Sequence, residues 1–108
     1  MKDNKLVFSF LCAIQSGSFV INLGDCLEVW TKGLYRATRH RVKNSVGKDR
    51  YSAAFFFNPD ASCVIKPLEI EMTRKMSYKT SVNGMEMPFL FGDYKNYLIN
   101  KGLESKDD

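Results

Sequence analysis

Short apolar runs alternate with turn residues along the chain, and this pattern predicts a mainly β protein. Residues 15–18 (QSGS) read as a turn, and 19–23 (FVINL) as a short buried strand closed by Gly24-Asp25. Asp25 stands where a helix N-cap belongs, a short helix is predicted over 26–32, and Gly33 is its C′ stop. Leu27 and Trp30, three apart, set one face of that helix against a core. Two further strands are predicted over 37–43 and 50–58, with the turn residues NSVGKD at 44–49 between them. The run Phe55-Phe56-Phe57 breaks the alternation of a strand with one wet face, so both faces there need cover.

Beyond Pro59 the pattern weakens. Val64 and Ile65 predict one more short strand before Pro67. Residues 68–87 show little periodicity and read as loop with room for a helix. Residues 92–101 predict a terminal helix capped by Asp93, with Tyr94, Tyr97 and Leu98 on one stripe and Gly102 as the stop. The tail from 104 to 108 is charged and frayed. At the other end, two lysines precede the apolar run of residues 6–14, a loose imitation of a secretory signal. Asp3 interrupts the charged region and no small-x-small cleavage site follows, so a strand is the expectation. The run is also too short to cross a bilayer as a helix.

Composition narrows the class. The chain has 108 residues, 44% hydrophobic and 26% charged, which suits one small globular domain and excludes wholesale disorder. Its net charge of +4 comes from basic residues interspersed with acidic ones, the ordinary signature of a solvated surface. The three cysteines, Cys12, Cys26 and Cys63, are widely spaced and form no Cys-x-x-Cys. Free thiols in a reducing, cytoplasmic setting are expected, without a disulfide framework or zinc site. No membrane partner is implied.

Candidate chemistry concentrates at His40, the only histidine, and at the Arg-x-Ser triplet formed by Arg50 and Ser52. In an antiparallel hairpin centred near Val46, His40 faces Ser52 and Val42 faces Arg50, so an imidazole, a guanidinium and a hydroxyl share one face. A slip of one residue would part them. A lone histidine is more often structural than a ligand. With an adjacent Arg-x-Ser, though, one face can serve a metal and a carboxylate together. Neutral imidazole suits Fe(II), whose facial triad takes two histidines and a carboxylate, and a guanidinium grips a carboxylate bidentately. Arg36, Arg39, Arg41, Lys43, Lys48 and Arg50, with aromatics nearby, also permit a single-strand nucleic-acid surface.

The text FVINLGDCLEVWTKGLYRATRHRV, followed by RYSAAFFFNPD and the looser VIKPLE, resembles the iron(II)- and 2-oxoglutarate-dependent dioxygenases of the isopenicillin N synthase type. PFLFGDYKNYL near the end is similar to that family's closing segment. The resemblance implies a partial double-stranded β-helix, or jelly roll, with a short helix after the first matched strand and a C-terminal helix. It implies that His40 is the second metal-binding histidine and that Arg50 and Ser52 hold the far carboxylate of 2-oxoglutarate. The implied cofactors are Fe(II) and 2-oxoglutarate as cosubstrate, and the implied partner is a small organic molecule to be oxidised, with no nucleic acid. Tyr35 and Phe56 are candidates for lining the cavity or for core packing.

The family's other two iron ligands form a His-x-Asp motif upstream of the 19–23 strand, and no histidine precedes His40 in this chain. The expected organisation is therefore a non-matching segment at 1–16, the C-terminal part of the dioxygenase domain at 17–69, and a C-terminal extension at 70–108. Such a fragment is expected to be inactive alone and to self-associate through exposed strand edges. The alternative is a non-catalytic remnant that acts as a protein-interaction module.

Overall fold

Helix α1 (Asp25–Trp30) packs through Cys26, Val29 and Trp30, the i, i+3, i+4 positions of one face, with Val29 1% exposed. The computed structural model describes residue 13, residues 15–44 and residues 46–104, the side chains at 103 and 104 excepted. The N-terminal apolar run apart from residue 13, Cys12 with it, and the charged tail after residue 104 lie outside the described residues. The packing face of α1 centres on Val29, one step from the Leu27–Trp30 face that spacing suggested.

Both ends of α1 differ from expectation. Gly24 is the N-cap and no side chain caps the helix; the Asp25 carboxylate is engaged elsewhere. At the far end, the N–H of Gly33 reaches the Glu28 carbonyl at 2.8 Å and that of Lys32 reaches Val29 at 3.0 Å. These are the paired bonds of a Schellman motif, with Lys32 at C′ in the left-handed region (φ 51°) and Gly33 one residue later (φ 80°). Lys32 accepts that conformation because its side chain is buried and doubly held. Its ammonium contacts Glu69 Oε1 at 3.0 Å and the Thr73 carbonyl at 3.3 Å.

The remaining elements lie C-terminal. Strand β1 (Val64–Ile65), where the sequence placed it, pairs antiparallel with β4 (Phe89–Leu90). A 3-10 turn occupies Glu71–Thr73. Strands β2 (Ser81–Val82) and β3 (Met85–Glu86) form a two-residue hairpin turning on Asn83 (φ 50°) and Gly84 (φ 90°). Two successive positive φ values make the turn whose twist matches antiparallel strands, and Asn-Gly is its preferred sequence. The Val-Asn-Gly-Met text inside 68–87 carried that signal, and periodicity alone passed over it. Helix α2 (Phe91–Glu104) follows and runs past Gly102. Its stripe is the expected one, with Tyr94 buried and Tyr97 and Leu98 packed beside it.

One core unites these pieces. Val29, Ile65, Val82, Phe89 and Tyr94 are buried together, and the Phe89 and Tyr94 rings stack at 4.8 Å between centroids. The core draws on both sides of residue 69. The architecture is thus two small antiparallel sheets with a C-terminal helix, compatible with part of a jelly roll.

Residues 19–23, 37–43 and 50–58 behave differently. Among the described residues none of these segments joins a strand ladder, so the expected hairpin is not formed. Gly47 turns with φ 78°, and Asn44 donates to the Lys48 carbonyl at 3.2 Å, but the arms do not pair. An isolated two-stranded ribbon is marginal in water, and no described element covers its apolar side chains. Phe55, Phe56 and Phe57 are 88%, 77% and 94% exposed. Tyr35 and Phe56, offered for cavity lining or core packing, are both on the surface.

Gly84 combines two constraints: its φ is left-handed, and an added Cβ would sit 2.8 Å from Tyr97 Oη. Gly84→Ala is expected to cost about 1–3 kcal/mol, the scale of a strained non-glycine residue. Gly102→Ala meets no neighbour within 4 Å and lies in a helix, so its urea midpoint should hold or rise. Urea unfolding followed by far-UV ellipticity compares the two.

Candidate metal and cosubstrate site

His40 is exposed on the segment that leaves α1, and its Nδ1 lies 2.9 Å from the Thr38 carbonyl. A carbonyl only accepts, so Nδ1 carries the proton. In the neutral ring Nε2 is then bare, the form in which an imidazole binds a metal. The segment is anchored near its start. Glu28 Oε2 accepts from the Ala37 N–H at 2.5 Å, and Thr31 Oγ1 accepts from the Tyr35 N–H at 3.1 Å.

Arg50 Nη1 lies 3.5 Å from Ser52 Oγ, both side chains exposed. Alternation along an extended chain puts them on one side, as the triplet predicts. Two donors side by side can receive one carboxylate. His40 opens on a hollow of about 580 Å³ shared with Asp25, Glu28, Tyr78, Lys79 and Asn83, and Arg50 and Ser52 are not among its lining residues. The shared face expected for His40, Arg50 and Ser52 required the hairpin, and without its ladder no contact among the described residues brings them together.

The acids of the hollow are engaged. Asp25 Oδ2 accepts from Tyr94 at 2.5 Å and from Asn83 Nδ2 at 3.2 Å. Glu28 Oε1 accepts from Tyr78 at 3.4 Å and pairs with Lys79 at 3.8 Å. Burial, and then the bond to Asp25, pushes the Tyr94 hydroxyl well above its ordinary range. Burial first, then the Glu28 charge, pushes Tyr78 up to about 12. Cys26 and Cys63 are free thiols. Burial pushes the Cys26 thiol up, with Asp25 and Cys63 adding to it, so it is poorly suited to nucleophilic work.

Among the described residues no group of three His, Cys, Asp or Glu side chains could hold a metal ion. The described side chains do not fit a complete iron centre by themselves. No helix among those residues is long and apolar enough to cross a membrane.

A sequence model of the 2OG-Fe(II) oxygenase superfamily matches residues 2–59, a span that holds His40, Arg50 and Ser52. The chain belongs to the 2OG-Fe(II) oxygenase superfamily. The match begins upstream of Gly17, where the likeness read from motifs starts. Among curated oxygenases of this kind, the chain is 37% identical to 1-aminocyclopropane-1-carboxylate oxidase 1 of Doritaenopsis over 91 residues, 83% of this chain and 28% of that protein. It is 34% identical to feruloyl CoA ortho-hydroxylase 1 of Arabidopsis thaliana over 94 residues, 84% of this chain and 24% of that one. It is 52% identical to the 2-oxoglutarate-dependent dioxygenase tropC of Talaromyces stipitatus over 52 residues, 48% of this chain and 16% of that one. The chain thus spans about a quarter or less of the length of these relatives. No solved structure matches it significantly.

What sequence reasoning missed at this site is Tyr78 and Lys79, which reach the hollow from the loop before β2. They stand apart from any motif, and only the tertiary fold reveals them. Tyr78 keeps its proton longer folded than unfolded, so its contribution to stability is intact below pH 10, its ordinary value, and is lost as pH rises through about 12. In a phenolate absorbance titration, Tyr78→Phe should remove one tyrosine's worth of the late-titrating signal. The alkaline loss of stability should also become shallower in that variant.

Proposed function

We propose that this chain supplies one histidine and the cosubstrate-gripping pair of an iron- and 2-oxoglutarate-dependent oxygenase that oxidises a small organic molecule. In this reading His40 is a metal ligand, and Arg50 with Ser52 receives the far carboxylate of 2-oxoglutarate. The observation that carries it is the family match over the residues that include all three. The bare Nε2 of His40 and the apposition of Arg50 and Ser52 support it. The family match favours it over the interaction-module alternative.

The fold of the working site is proposed to be the jelly roll, in which residues 19–23, 37–43 and 50–58 are strands. The exposed phenylalanines at 55–57 support this, because such a run gains most where neighbouring strands and a covering layer bury both its faces. The same exposure supports self-association of the 108-residue chain. By this proposal residues 17–69 belong to the oxygenase domain and 70–108 form a C-terminal extension that packs back on it.

With only one histidine, this chain by itself is proposed to lack turnover. Anaerobic Fe(II) titration of the 108-residue chain, followed by a 2-oxoglutarate decarboxylation assay in air, is the measurement. No stoichiometric iron and no succinate above the protein-free control are expected. Stoichiometric iron with succinate release would overturn the proposal that the chain is inactive alone.

A further inference from the structure

His40 depends for its orientation on a carbonyl only two residues away, so the backbone at 37–40 must itself be held. The described contacts show one side chain doing this. Glu28, on α1, accepts the Ala37 N–H at 2.5 Å with Oε2. Its other oxygen faces the Tyr78 hydroxyl at 3.4 Å and the Lys79 ammonium at 3.8 Å. The Glu28 side chain is 19% exposed, and the bond it makes to the backbone is charge-assisted. Residues 37–40 join no strand ladder among the described residues, so no backbone pairing does the same work.

We propose that Glu28 is a positioning residue for His40, tying α1 to the Ala37 N–H and thereby fixing the Thr38 carbonyl that keeps the imidazole in its Nδ1–H form. The inference rests on reading His40 as a metal ligand for its purpose, but its geometry and its test need no metal. Glu28 touches neither the ring nor any cosubstrate. It acts through a relay that runs from its carboxylate to the Ala37 amide, along the backbone to the Thr38 carbonyl, and on to Nδ1. Tyr78 and Lys79 join the far side of the same carboxylate. The C-terminal part of the chain therefore helps to set the residue that sets the histidine.

Because His40 is the only histidine, the chain gives one imidazole signature in a long-range proton–nitrogen NMR spectrum. Recorded without metal at a pH where the ring is neutral, the unaltered chain should show the Nδ1–H tautomer. Glu28→Gln keeps an oxygen able to accept from Ala37 and should keep that tautomer. Glu28→Ala should lose it and move to the Nε2–H form that free histidine favours, with the amide signals of Val82 and Tyr94 unmoved. Ala37→Pro removes the donor at the other end of the bond while leaving α1 intact, and should give the same loss. It decides the matter should Glu28→Ala fail to fold. Retention of the Nδ1–H tautomer in Ala37→Pro, or in folded Glu28→Ala, would overturn the proposal. The tautomer is read without metal, so its outcome stands apart from the iron and succinate assay, which tests the proposed function alone.

Discussion

The Asp25 carboxylate is where three distant parts of the chain meet. Tyr94 donates to it from α2, Asn83 donates to it from the β2–β3 turn, and the acid itself opens α1. Asn83 also donates to the Tyr94 oxygen at 2.6 Å, while its carbonyl receives Tyr97 and Lys101 at 3.0 and 3.1 Å. A charged acceptor shared by two donors in a half-buried place is costly to leave unmet. The apolar core supplies most of the burial, but it is non-directional. The Asp25 junction adds direction to the core, because helix, hairpin and helix must be set so that these groups meet. Everything that lines the hollow beside His40 from the C-terminal side is placed by that arrangement.

The chain is thus of two physical kinds. The helices, the strand ladders and the buried core among the described residues all fall within Asp25 to Lys32 and Ala61 to Glu104. The family-matched segments 19–23, 37–43 and 50–58 carry the candidate residues His40, Arg50 and Ser52 and little of the packing. That division follows from what each kind of element needs. A helix satisfies its own hydrogen bonds and asks only for one covered face, whereas a strand needs neighbours on its edges as well.

The same distinction explains what could be read from the sequence. Local codes were legible: the Tyr94, Tyr97 and Leu98 stripe, the two-residue strand at Val64–Ile65, and the glycine-bearing end of α1. Local codes also misled where a side chain had a distant use. Asp25 has the right place for an N-cap, but Tyr94, many residues later, claims its carboxylate. Lys32 takes the left-handed position usually left to glycine because Glu69 and Thr73 hold its ammonium. The candidate residues His40, Arg50 and Ser52 stand out as motifs. Their common face was not realised, because register and pairing are tertiary facts that no spacing fixes. Glu28 and Tyr78 were beyond reach for the same reason: they come together across 50 positions of sequence.

The hollow beside His40 is walled partly by the loop and hairpin after residue 77, segments that lie outside the family-matched span. His40 and part of its neighbouring surface are therefore written in separate stretches of the polypeptide. A substitution at Tyr78 or Lys79 would redraw the shape and charge next to the imidazole with the family-matched text left untouched. The two stretches can change separately in sequence while they stay joined in space through Glu28.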